Sequence, residues 1–236
     1  MLYGLREVRD NLRARDGKRV FYLGKGDQLT SEARDWLARQ RIEILPADRA
    51  KPERFRLLTG GYVEEKPEQL THLQGDLLVS KTHPRIRFRG ELDALEAEMM
   101  LCQLKLPEAL GKELREVLEY VRLMMRCEVL NEPLPEQKLW GMTEAELRLR
   151  SHRPQEFYGQ AHFMPEATDG EAILWLNRAR TQARRGELAA VDAFMDRDGN
   201  LIRQDIPRAM NRVSSMLYLL MIRLKAEAKG GIPWNP

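Results

Sequence analysis

The stretch Pro84–Leu104, PRIRFRGELDALEAEMMLCQL, decides the architecture. Leu92, Leu95, Met99, Cys102 and then Leu106 recur at spacings of 3, 4, 3 and 4. That is the period of a helix burying one apolar face. Pro107 opens a second helix of the same kind, through Leu110, Leu114, Leu118, Val121 and Met125 to about Val129. A Pro-containing segment, Asn131–Pro135, and a short helix near Thr143–Arg150 follow. Asp169 is expected to cap a third long helix carrying Ile173, Leu176 and Ala179. Asp205-Ile-Pro207 opens the fourth, with proline tolerated in the first turn. Its Met216–Ile222 run is apolar on every side and must be covered by neighbours. The expected fold is therefore mainly α, a helical bundle of four to five helices.

Working outward, the pattern changes near residue 60. Leu2, Leu5, Val8 and Leu12 suggest a short first helix ended by Asp16-Gly17, and Arg19–Leu23 reads as a strand. Thr30 or Ser31 caps a helix to about Arg39, with Glu32 and Asp35 in its early turns. Ile42–Leu45 makes a second brief strand stopped by Pro46, and a charged linker is expected near Ala50–Arg56. The domains expected are a small α+β appendage over 1–60 and the helical bundle over 61–236.

Composition narrows the class. The chain has 236 residues, 43% hydrophobic and 32% charged, with only two cysteines, Cys102 and Cys127. A chain of this length buries roughly 70–75% of its unfolded surface and needs no disulfide staples. No apolar run approaches the roughly 20 residues that span a bilayer. The start shows no signal peptide, so a cytoplasmic location is expected. Net charge is +3, with +4 in residues 1–66 and −1 in the remainder. Neither part is a basic stripe for a nucleic-acid backbone. Any polyanion held here should be small and gripped by a few placed arginines.

Three groups of residues carry chemical signals. Asn177, Arg180 and Arg184 lie at i, i+3 and i+7 on one helical face. Like charges four apart cost a few tenths of a kcal/mol, a sign that an anion would reverse. The same residues, with Arg185 beside them, also suit a solvated basic face. Asn211, Ser214 or Ser215, and Tyr218 make a polar stripe on the last helix, satisfied either inside the bundle or by a ligand. Lys66–Arg89 places Thr71, His72, Gly75, Asp76, Ser80 and Lys81 in what reads as a loop leading into the helix that carries Asp93. Hydroxyl, glycine and lysine before a helix suit a phosphate, although the Walker A spacing is absent. Asp93 beside an apolar stripe is expected to be partly buried and to need a cationic partner. Asp196-Arg-Asp-Gly-Asn200 lacks the first carboxylate of a calcium loop and reads as a turn. His72, His83, His152 and His162 have no metal-ligand spacing, and no nucleophile motif occurs.

These three groups are also where the chain resembles ATP:cob(I)alamin adenosyltransferases. Leu78-Val-Ser-Lys-Thr-His-Pro-Arg-Ile-Arg-Phe-Arg-Gly-Glu-Leu-Asp93 is similar to the segment opening that family's first helix. Ala179-Arg-Thr-Gln-Ala-Arg-Arg-Gly-Glu187 resembles its Ala-Arg-Thr-x-x-Arg-Arg-Ala-Glu helix, and Met210-Asn-Arg-Val-Ser214 its Leu-Asn-Arg-Leu-Ser. The match is closest to the ethanolamine-utilization branch, through Leu29–Arg34, Lys66–Leu73, Asn131–Leu134 and Met164–Ala167.

The resemblance implies transfer of the 5′-deoxyadenosyl group of ATP, with Mg²⁺, to cob(I)alamin, giving adenosylcobalamin. It implies a homotrimer of bundles, with a reductase or an adenosylcobalamin-dependent lyase as further partner, and association with a bacterial microcompartment. Carried over by motif, Arg180, Arg184 and Asp93 are the catalytic set. Lys81, Thr71, His72, Gly75, Arg180, Arg184 and Asn211 contact ATP, and Asp93, paired with Arg180, and Phe163 serve the corrinoid. An apolar patch displacing the lower ligand would ease reduction of cobalt. The missing protein nucleophile fits this chemistry, because cob(I)alamin is itself the nucleophile and the protein supplies alignment and cations. The branch's His-x11-Cys-Cys-x2-Cys motif is absent, since Leu57–Glu65 has neither residue, so no bound zinc or iron is expected. Two other classes compete: a carrier that holds adenosylcobalamin without making it, and a scaffold bundle whose basic appendage docks an acidic partner or shell protein.

Overall fold

The computed structural model describes residues 1–15, 18–49 and 55–228. The expected Asp16-Gly17 stop and most of the expected linker, residues 50–54, lie outside them. The described residues form two compact units, one up to residue 81 and one from residue 82 to residue 228.

The first unit is built on short strands and two helices. They are β1 (Leu2–Tyr3), α1 (Leu5–Asp10), β2 (Arg13–Arg15), β3 (Lys18–Leu23), β4 (Gln28–Leu29), α2 (Ser31–Arg39), β5 (Glu43–Pro46), β6 (Phe55–Leu57), β7 (Tyr62–Val63), β8 (Leu70–Gln74) and β9 (Leu77–Ser80). Thr30 caps α2, its side chain accepting from the Ala33 N–H at 3.3 Å. α2 crosses between β3 and β5, which pair in parallel with Phe21 opposite Ile44. The seven-stranded sheet runs β5-β3-β2-β7-β6-β9-β8, and β1 and β4 pair separately. Val8, Leu12, Phe21, Leu29, Ala33, Leu37 and Ile42 form its core.

Two expectations change here. Within the stretch expected as a loop, residues 70–80 form a hairpin, β8 and β9 pairing antiparallel around Gly75, whose φ is +54°. The sheet therefore continues twenty residues past the boundary expected at 60, because β9 also pairs in parallel with β6. Gly61 is the position in this sheet most hostile to a side chain. Its φ is +84°, and a Cβ there would stand 2.5 Å from the Leu12 carbonyl oxygen. Gly61→Ala is expected to destabilise this unit by about 1–3 kcal/mol, read from thermal unfolding followed by circular dichroism. An unchanged transition would contradict that account.

The second unit consists of α3 (Pro84–Gln103), α4 (Glu108–Leu130), α5 (Glu144–His152), α6 (Pro154–Tyr158), α7 (Glu171–Phe194) and α8 (Asp205–Ala228). The stripe Leu92, Leu95, Met99 and Cys102 is fully buried, as are Met216, Leu217 and Leu219–Ile222 of α8. Cross-helix pairs give the directions. Arg85 meets Glu128, Arg178 meets Glu98, Asn211 meets Glu187 and Arg223 meets Glu113. Every neighbouring pair of long helices in the ring α3–α4–α8–α7 is therefore antiparallel. α4 and α7 then run the same way, which requires the long crossover of residues 131–170 carrying α5 and α6. Small residues on α7, Ala179, Ala183, Gly186 and Ala190, are buried and allow close approach of its neighbours.

α5 begins as expected, with Thr143 and Glu146 in a reciprocal capping box. α7 does not: Asp169 ends a 3-10 turn, Gly170 occupies the N-cap position, and the helix starts at Glu171. The Asp169 carboxylate instead accepts from the Glu166 N–H at 2.8 Å and pairs with Lys225 at 2.6 Å. Asp196 is confirmed as the pivot of a turn, accepting from the N–H groups of Asp198 and Asn200 at 2.9 and 2.8 Å.

Both cysteines are buried in the helical unit, and burial pushes the Cys102 thiol up to about 12 from its ordinary value near 9. A raised thiol contributes stability that is complete below about pH 9 and falls as pH climbs from there toward 12. Neither thiol should react with a disulfide reagent at pH 8 until denaturant is added; rapid labelling of the folded protein would contradict this.

Candidate functional site

The face of α7 that carries Asn177, Arg180 and Arg184 resolves into two environments. Arg180 is half-buried, and its guanidinium donates from Nη2 and Nε to Asn177 Oδ1 at 2.8 and 3.1 Å. Burial first, and then the neighbouring Arg184 charge, hold its pKa below the ordinary arginine value. Among the described residues no carboxylate pairs with Arg180 or Arg184, and Arg184 is exposed. Arg185, which suggested a plain solvated face, instead turns to Glu91 at 3.3 Å. The two arginines left over are a cationic pair without an internal counter-charge. Half-burying the Arg180 charge is costly unless something anionic meets it.

On α8, the polar stripe faces the same way. Asn211 is half-buried, donating from Nδ2 to Glu187 at 2.9 Å and accepting at Oδ1 from Arg212. Ser215 donates to the Asn211 carbonyl at 3.1 Å. A cavity of about 260 Å³ is lined by Ser151, His152, His162, Arg180, Ser214, Ser215 and Tyr218. Arg180 and the Ser214, Ser215 and Tyr218 part of the stripe thus line one cavity, and Ser151 and His152 of α5 close the other side. His152, His162 and Ser151 were not singled out from the sequence as site residues, because nothing in their spacing marks them. The signal that could have found them is the need of a polar α8 face for polar neighbours.

Phe163 lies half-buried beside this cavity, in the irregular segment after α6. Tyr218 Oη accepts from the Phe163 N–H at 3.0 Å and lies 3.1 Å from its carbonyl oxygen. The His162 ring stacks on Tyr218 at 5.7 Å between centroids.

Asp93 departs from expectation. It is exposed on α3, and Arg180 takes Asn177 rather than Asp93 as its partner. The reason is helical phase. α3 meets α7 through Glu91, whose side chain accepts from Gln182 at 2.7 Å, and through Glu98. Two residues on from Glu91 is about 200° around the helix, so Asp93 turns to solvent.

The remaining expected contacts sit in the first unit. Thr71 and His72 are strand residues of β8, and His72 Nδ1 lies 3.0 Å from the Gly75 carbonyl. Lys81, just past β9, pairs with Glu68 at 2.5 Å. The N-terminus of α3 is capped by His83, whose ring accepts from the Arg85 N–H at 3.2 Å. Burial, reinforced by Arg85, lowers the His83 pKa and favours the neutral ring this cap requires.

A second cavity in the helical unit, about 470 Å³, lies between α4, the crossover and the start of α8 and is lined in part by Tyr120, Glu144, Arg208 and Arg212. None of the residues expected from the sequence to form a site lines it. No helix among the described residues is long and apolar enough to cross a membrane.

Known proteins resemble this chain in sequence and in fold. The corrinoid adenosyltransferase EutT of Salmonella typhimurium is 37% identical over 160 residues, 68% of this chain and 60% of that protein. The chain thus spans about three-fifths of that relative's length. The corrinoid adenosyltransferase PduO of the same organism is 30% identical over 146 residues, 60% of this chain and 43% of that protein. A variant PduO-type ATP:corrinoid adenosyltransferase from Lactobacillus reuteri, solved with cobalamin and ATP, shares the fold. Its TM-score is 0.52 at 19% identity, over 70% of this chain and 92% of that one. The family model for cobalamin adenosyltransferase matches residues 61–224, which include Arg184, Asn211 and every residue that lines the cavity beside Arg180. This chain belongs to the cobalamin adenosyltransferase family.

Proposed function

We propose that the protein transfers the 5′-deoxyadenosyl group of ATP to cob(I)alamin, serving ethanolamine utilization. The observation that carries this reading is the Arg180/Arg184 pair, lacking a carboxylate partner among the described residues and joined to Asn177. In the transfer, the cobalt nucleophile forms a bond to C5′ of the ribose and the C5′–oxygen bond to the triphosphate breaks. Negative charge grows on the departing triphosphate, and cations already in place lower that barrier without reorganising. Arg184, reaching into solvent, meets the outer phosphates; Arg180, half-buried at the cavity, stands at the reacting end. Asn211, oriented by Glu187 and Arg212, presents its remaining amide hydrogen to the nucleotide. Phe163 faces the corrinoid. Thr71, His72, Gly75 and Lys81 are assigned to ATP by motif alone, and Asp93, exposed on its own chain, to a partner across a homotrimer interface.

Calorimetric titration with Mg·ATP tests the reading. Saturable binding that inorganic tripolyphosphate competes away is the expected result. Adenosylcobalamin binding with no ATP binding would favour the carrier instead.

A further inference from the structure

The segment that holds Phe163 has no helix or strand of its own from Gln160 to Glu166, yet it is tied to α8 at two heights. At the first, the Tyr218 hydroxyl brackets a single residue. It accepts from the Phe163 N–H at 3.0 Å and donates to the Phe163 C=O at 3.1 Å. One side chain thereby satisfies both peptide groups that a loop would otherwise leave to water. At the second, two turns further along the same face, Lys225 Nζ stands 4.1 Å from the centroid of the Phe163 ring. Lys225 is in turn fixed by Asp169 Oδ1 at 2.6 Å, and Asp169 Oδ2 accepts from the Glu166 N–H at 2.8 Å. Backbone and ring of Phe163 are thus each held from α8, and the segment's far end is fastened by the same ion pair.

These contacts restrain the segment's geometry more than they add to its stability. The Lys225 and Asp169 side chains are only 22% and 10% exposed. Partly buried ion pairs contribute little net stability, because desolvation offsets their attraction. What they do supply is geometry: a cation centred over an aromatic face fixes where the ring lies. A group that must meet a planar macrocycle needs placement to within about 0.5 Å, which a free loop cannot give.

We propose that Tyr218 and Lys225 are positioning residues that fix Phe163 as the wall against the lower face of the corrinoid. This rests on the adenosyltransferase reading, in which Phe163 faces that substrate. Asp169 acts one step further out, by holding Lys225.

The test uses the whole protein with Mg·ATP and Co(II) corrinoid, and electron paramagnetic resonance reports the fraction of bound corrinoid that has lost its lower ligand. Tyr218→Phe removes only the hydroxyl and keeps the stacked ring; Lys225→Met removes the charge and keeps the stem. Each variant is expected to lower that fraction at least fivefold, with the Kd for Mg·ATP within twofold of wild type. Lys225→Arg, which retains a cation for both the ring and Asp169, should restore more than half of the loss. A merely structural role would lower thermal stability and ATP affinity together and leave the fraction unchanged in the protein that remains folded. Wild-type fractions in both folded variants would overturn the proposal while leaving the adenosyltransferase reading intact. A wild-type protein that binds ATP but no corrinoid would overturn both.

Discussion

Arg184→Ala is expected to slow adenosyl transfer by about 10²–10³-fold, the usual cost of removing one placed donor to developing charge. The same variant should melt within a degree or two of wild type. Arg184 is exposed and, among the described residues, makes no ion pair, so its removal breaks no packing and strands no carboxylate. Arg185 is the internal control. It neighbours Arg184 and has the same charge, but it pairs with Glu91 at 3.3 Å across to α3. Arg185→Ala should therefore alter turnover by no more than a few fold. If the two variants lost activity equally, net charge on this helix would matter and placement would not.

The largest expected effect on stability belongs to Glu128. Its side chain is fully buried and accepts from Arg85 Nε and Arg89 Nε at 2.5 Å each, while Arg85 Nη2 donates to the Glu128 carbonyl at 2.8 Å. Arg85 and Arg89 are themselves 16% and 15% exposed. Glu128→Ala takes away the carboxylate between two largely buried guanidinium groups that sit where the first turns of α3 meet the end of α4. Breaking a buried pair from one side costs about 3–5 kcal/mol, more than the pair was worth in net terms. Urea unfolding should show that loss at unchanged slope, and Glu128→Gln a smaller one. A loss below about 1 kcal/mol would mean that water reaches both arginines and that the junction is not dry.

The bundle was legible because its signal is periodic. Leu92, Leu95, Met99 and Cys102 lie on one face at helical spacing, and all four are fully buried. The Arg180/Arg184 face and the Asn211–Tyr218 stripe were legible for the same reason, since residues three, four and seven apart share a helical face. The hairpin at 70–80 was not read, although Gly75-Asp76 between two apolar runs is a turn signal. Its strands are five and four residues long, too short for alternation to stand out, and its closing partner β6 lies outside the segment. Asp93 shows the opposite failure. Motif position named it, but helical phase relative to Glu91 decides that it faces solvent. Contacts between distant parts of the chain were invisible altogether. Nothing in the local sequence links Phe163 to Tyr218, 55 residues on, or Asp169 to Lys225, 56 residues on.

The most direct test is a single turnover. The purified protein is mixed with chemically reduced cob(I)alamin and Mg·ATP while the visible spectrum is followed, and the ATP consumed is counted. The account predicts replacement of the Co(I) band by the adenosylcobalamin spectrum, one product formed for each ATP used and no conversion without ATP. A protein that binds both substrates but leaves the Co(I) band unchanged would contradict it.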